Sequence, residues 1–133
     1  MKFRLLVLFV FSFLFQSCDP IHFITFENKS NQIIKVLILK KHNSDFNPLN
    51  RFSSNDSVYF SIKPNDNHVL YFGTGNWSDV KINELSEAID KVQIENDFTE
   101  KTYKSHKAIK HLLTVNRNGI IFENEIKIVL DEV

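Results

Sequence analysis

Cys18 is the only cysteine among 133 residues, and it follows directly on an apolar run. A thiol is the strongest nucleophile available to a protein side chain, and with no second cysteine it cannot form an internal disulfide. The other residues with chemical potential are scattered. The five histidines are His22, His42, His68, His106 and His111, and no pair has the i, i+4 or His-x-His spacing that would set two imidazoles on one metal. They read as surface or half-buried side chains, so no metal site is expected. Glu84, Glu87 and Asp90, and again Glu95, Asp97 and Glu100, could pair carboxylates for hydrolysis, but acidic residues at this density suit a solvated helix face and a turn. There is no Gly-x-Ser-x-Gly elbow and no glycine-rich phosphate loop, with only three glycines in all. No cofactor is expected, and catalysis is the minority reading. Trp77, the one tryptophan, leaves two roles open. It is either a loop aromatic that stacks on a sugar or docks a protein, or a plug sealing one end of the core.

What surrounds Cys18 defines its chemistry. Lys2 and Arg4 form a basic head, and Leu5 to Phe15 is apolar except for Ser12. Eleven helical residues span roughly 16 Å, about half the hydrocarbon thickness of a bilayer, which is short for a membrane span and suited to a secretory signal. Leu14-Phe15-Gln16-Ser17-Cys18 resembles a lipobox, with Ser17 as the small residue before the cysteine and Phe15 and Gln16 departing from the usual types. The resemblance implies cleavage before Cys18 and acylation of its thiol. Two or three long chains, at about 0.8 kcal/mol per buried methylene, would make a lasting anchor. Asp19 resembles the acidic sorting residue of Gram-negative lipoproteins. The expected place is the cell envelope, the outer membrane ahead of the inner.

Residues 1–17 are therefore read as a signal peptide, 18–21 as a short lipidated tether, and 22–133 as one domain. Loss of Lys2 and Arg4 leaves 14 basic against 16 acidic residues, a net charge of −2. A mixed, slightly acidic surface without a basic cluster excludes nucleic acid as a partner. A domain of this length buries about 65% of its unfolded surface, enough for one core without staples.

The elements that must position these residues are mostly strands. Residues 22–27 alternate around Ile24 and Phe26. Asn28 to Asn31 supplies a turn, and Ile33 to Leu39 reads as a strand buried on both faces, the two forming a hairpin. Residues 40–55 read as a loop with little regular structure, broken by Asn47-Pro48. Val58, Phe60 and Ile62 alternate, and after the turn at 64–67 the segment 69–72 returns as a second hairpin. Ile82, Leu85, Ala88, Ile89 and Val92 recur at helical spacing behind a cap at Ser78 or Asp79. Residues 92–94 make a further strand. Residues 105–113 stay open: either Ser105 caps a helix carrying Ala108, Ile109, Leu112 and Leu113, or Leu112 to Arg117 is a strand leading to the Asn118-Gly119 hairpin signal. Ile120, Phe122, Ile126, Ile128 and Leu130 close the chain. The pattern predicts a mainly β domain, an antiparallel β-sandwich of about seven strands with one or two short helices, with α+β as the alternative.

An export signal ending in cysteine, the segment Phe26-Glu27-Asn28-Lys29-Ser30, an Ile/Val-rich strand and Ile62-Lys63-Pro64 together resemble the small uncharacterised lipoproteins of Bacteroidota. That resemblance implies a cell-envelope β-sandwich and carries no catalytic residues. Asp56-Ser57-Val58 resembles the short O-glycosylation sequence of exported proteins in that group, which makes Ser57 a modification candidate and otherwise a loop-to-strand boundary. The leading expectation is a lipid-anchored, non-enzymatic interaction or ligand-binding module. Its partners would be the membrane through Cys18 and an envelope protein or glycan through loops near Trp77 or in 40–55. A protective lipoprotein that blocks a toxin or hydrolase, and a small envelope hydrolase, are the alternatives.

Overall fold

The computed structural model of the chain describes residues 19–42, 47–119 and 122–131. Cys18 and the apolar run before it, and Ile120, lie outside the described residues. Strands are β1 (Ile21–Asn28), β2 (Ile34–Lys40), β3 (Ser57–Ile62), β4 (Asn67–Thr74), β5 (Ile89–Glu95), β6 (Glu100–Tyr103), β7 (Arg117–Asn118) and β8 (Glu125–Leu130). Two helices, α1 (Asp79–Glu87) and α2 (His106–Val115), and a 3-10 turn at Pro48–Arg51 complete the described elements. The strands form two four-stranded sheets, ordered β4-β1-β8-β7 and β3-β2-β5-β6, packed as a β-sandwich. The mainly β expectation holds. The sheets are antiparallel except where β8 runs parallel to β1.

Alternation decides which face each strand buries. β2 shows buried residues at Ile34, Val36, Ile38 and Lys40 with half-buried Lys35, Leu37 and Leu39 between them, so only one face is fully buried, not both. Phe26 of the first sheet meets Phe60 of the second edge-on at 5.2 Å, which locks the two layers face to face. Each such fully buried apolar side chain contributes about 1.5–3 kcal/mol.

Neither expected hairpin forms. β1 pairs with β4 and β8, and β2 pairs with β3 and β5, so the turns at 29–33 and 63–66 carry the chain from one sheet to the other. Asn28 is the physical reason. It is fully buried, and its Nδ2 donates to the carbonyls of Gln32 at 2.6 Å, Ile62 at 3.0 Å and Lys63 at 3.1 Å. Its Oδ1 accepts from the Ser30 N–H at 2.9 Å and the Ser30 hydroxyl at 2.7 Å. One amide thus ties both crossovers together, a bond set that no two-stranded hairpin would offer.

The helices follow local signals. Ser78 Oγ accepts from Lys81 N at 3.3 Å and Ser105 Oγ from Ala108 N at 3.1 Å, each satisfying an orphan amide of the first turn. α2 turns Ile109, Leu112 and Leu113 inward, so 106–115 is helix and the strand alternative is set aside. Asn118-Gly119 does not close a two-residue hairpin, because Asn118 pairs with Glu125 and a longer loop intervenes. β5 and β6 do form a hairpin, its turn fastened by Asn96 Oδ1, which accepts from Phe98 N and Thr99 N, each at 2.9 Å.

The described parts of the 40–55 stretch, 40–42 and 47–55, are more ordered than their polarity suggests. Asn47 caps the 3-10 turn by accepting from Leu49 N, and Pro48 occupies the first turn position, where a missing N–H costs nothing. Leu49 is buried in the core. Lys40 Nζ donates to Ser53 O at 2.6 Å and to Asn50 Oδ1 at 3.1 Å, stapling the returning chain to β2.

Candidate functional site

Two adjoining cavities lie where the 3-10 turn faces the helices. The larger is a cleft of about 1190 Å³. One wall is Asn47, Pro48 and Arg51 of the turn, and Lys41 at the end of β2 adds a cation. The other wall is the face and end of α1, with Glu84 and Glu87, and then Asp90 at the start of β5. Lys104 and His106, leading into α2, complete it. Asn47 fixes the distance between the walls, since its Nδ2 donates to Ala88 O at 2.8 Å just past the end of α1. The lining therefore mixes three carboxylates with Lys41, Arg51 and Lys104.

The smaller cavity, about 280 Å³, shares Pro48, Arg51 and Glu84 with the cleft and adds Lys81 and Leu85 of α1. Its aromatic side is His22, Phe72 and Trp77. Trp77 lies edge-on to His22 at 4.7 Å and to Phe72 at 5.0 Å, and Phe52 packs edge-on to Phe72 at 5.0 Å. His22 Nδ1 stands 3.0 Å from Gly73 O, which makes Nδ1 the protonated nitrogen of the neutral ring and leaves the lone pair on Nε2. Burial, reinforced by the nearby Lys81 ammonium, holds the His22 imidazole below its ordinary pKa. His68 is likewise held below its ordinary value by burial and stacks on Phe60 at 3.9 Å.

Trp77 is 2% exposed, and its Nε1 donates to Phe23 O at 3.0 Å. It takes the plug role; an exposed stacking aromatic is not what the fold makes of it, though its ring bounds the smaller cavity. Of the two acidic groups weighed from the sequence, Glu84, Glu87 and Asp90 meet on the cleft, all exposed. Glu95 and Glu100 instead face each other across the β5–β6 hairpin. His106 is on the cleft, whereas His111 lines a separate groove beside Tyr103. Among the described residues no group of three or more His, Cys, Asp or Glu is placed to hold a metal ion. Ser57 is half-buried at the first position of edge strand β3, opposite Leu39. Cys18 lies outside the described residues; Pro20, just before β1, accepts at its carbonyl from Gly75 N at 2.7 Å. No helix among the described residues is long and apolar enough to cross a membrane.

The sequence reading missed His22, Arg51 and Lys81 as neighbours. They come from β1, the 3-10 turn and α1, with nothing in their spacing to join them. Only Asn47-Pro48, a cap followed by a first-turn proline, signalled that the Arg51 segment would be fixed.

Compared with protein-family models, curated proteins and solved structures, the chain matches none. Its functional reading rests on its own residues.

Proposed function

We propose that the chain is a lipid-anchored cell-envelope module, held on the membrane through Cys18, that binds a partner in the cleft between the 3-10 turn and α1. The observation that carries this is the cleft itself, large enough for a ligand or a peptide segment and lined by fixed charges of both signs. Lys41, Arg51 and Lys104 against Glu84, Glu87 and Asp90 favour a polar partner bearing both charges, such as an envelope protein segment. Binding is a better fit than catalysis, because the three carboxylates are exposed to water in an open cleft and no group among the described residues there excludes solvent from a reacting atom. A protective role against a toxin is one form this binding would take, with a single tight partner as its mark.

The test is site-directed photo-crosslinking in a bacterial host that processes lipoproteins. A crosslinker at Glu87 or Lys104 is expected to capture a discrete envelope partner, and one at Tyr59, exposed on the outer face of the second sheet, is not. Equal capture at all three positions, or none at the cleft, would sink the binding reading. The anchor is read separately: acylation and membrane fractionation are expected for the native chain and lost in Cys18→Ala. Release of both as soluble protein would refute the anchor.

A further inference from the structure

The smaller cavity has a charge arrangement that the fold alone does not require. Arg51 and Lys81 come from different elements and converge on one imidazole. No carboxylate lies within ion-pair distance of either among the described residues, and the one side-chain hydrogen bond of Arg51 to a described residue is from its guanidinium to Tyr71 O at 3.3 Å. Both cations lie beside the Gly73–Gly75 backbone: a Cβ at Gly73, where φ is +108°, would make ordinary contact with the Arg51 guanidinium at 3.7 Å, and one at Gly75, where φ is +118°, would reach within 2.7 Å of Lys81 Nζ, the movable end of its side chain. Both positive φ values favour glycine for conformational reasons as well. Two cations thus line one cavity with His22, and Glu84 is the single carboxylate on its wall among the described residues.

We propose that this cavity is a binding site for an oxyanion group, a phosphate, sulfate or carboxylate carried on a small molecule or on a lipid headgroup. Arg51 and Lys81 neutralise the anion and donate to it, and Arg51 presents the planar fork that suits two oxygens at once. Leu85 and the faces of Phe72 and Trp77 give the remainder of the ligand an apolar wall, and Glu84 accepts from a hydroxyl or ammonium on it. Bound anion beside Nε2 favours the protonated ring, so binding tightens as the pH falls through the range where His22 takes up its proton. The groups facing His22 in this respect are Arg51 from the turn and Lys81 and Glu84 from α1.

The site goes beyond the binding reading above and depends neither on the cleft partner nor on the lipid. Location leaves two sources for the anion. His22 follows Cys18 by four residues, at most about 14 Å of extended chain, so an acylated chain would hold the cavity close to the bilayer. Ile21 and Val80, the neighbours of His22 and Lys81, are both exposed apolar residues.

The experiment follows the His22 ring C–H resonances of the full chain in zwitterionic detergent micelles. Inorganic sulfate, whose charge is constant across the pH range, is titrated to tens of millimolar. A second arm compares phosphatidylglycerol with phosphatidylcholine vesicles in sulfate-free buffer. Saturable shifts are expected, with the His22 pKa rising by about one pH unit in the complex. The response should be lost in Lys81→Ala and Arg51→Ala and kept in Lys107→Ala. A response to sulfate assigns a soluble anion, and a response to phosphatidylglycerol alone assigns a headgroup. Absence of both responses, or a response that survives in Lys81→Ala and Arg51→Ala, overturns the site. If the titration fails while cleft crosslinks persist, only the oxyanion site is lost. A positive titration without cleft crosslinks would instead remove the partner reading.

Discussion

Asn28 shows how much one polar side chain can decide. Burying an amide costs several kcal/mol unless its hydrogen bonds are made, and here every donor and acceptor of the side chain is used. Asn28→Ala leaves the Ile62, Lys63 and Gln32 carbonyls without that partner. The expected loss is about 3 kcal/mol, read as a lower urea midpoint with unchanged slope; a loss under about 1 kcal/mol would contradict the role given to this amide. His22 and His68 supply a second prediction. Both are held below the ordinary value of 6.5, so the unfolded chain takes up these protons more readily than the folded one. Their neutral, folded state is fully favoured above pH 6.5, and stability falls as the pH drops below it. The melting temperature should decline between pH 7 and pH 5.5, and a His22→Gln, His68→Gln double variant should flatten that slope. An unchanged slope would mean that other groups govern it.

Among the elements, the helices test whether local signals or packing dominate. The Ser105 hydroxyl satisfies one orphan amide of α2, and Ser105→Ala should cost about 1 kcal/mol without altering the fold. A much larger loss would show that the cap also fixes the cleft wall at His106, which a change in cleft crosslinking would register. The strands show the opposite balance. Period-two alternation in 57–62 and 22–27 placed their buried faces correctly, because a strand's inner face is a property of its own residues. Pairing is not such a property. The polar turns at 29–33 and 63–66 have hairpin chemistry, yet both cross between sheets, since each flanking strand has an apolar face that is buried better by the opposite layer than beside its neighbour.

For the whole molecule, the consequential feature is β8. It lies between β1 and β7 and runs parallel to β1, so the ends of the domain are joined in one sheet, and Ile126, Ile128 and Leu130 fill the core beneath it. Parallel neighbours cannot be joined by a tight turn, so this sheet closes only when β8 arrives. A chain ending at Asn124 is expected to show no cooperative thermal transition; a sharp transition would contradict this closure. The sequence by itself determined the mainly β class, the buried faces of β1, β3 and β8, the capped helix at Ser78, and the expectation of acylation at Cys18, because these depend on residue type and spacing within one segment. Only the tertiary structure decided the sheet order, the burial of Trp77, and the meeting of Arg51, Lys81 and His22. Those follow from which strands share a core, a choice made by the packing of apolar faces far apart in the chain and by the few buried polar bonds that fix their crossings.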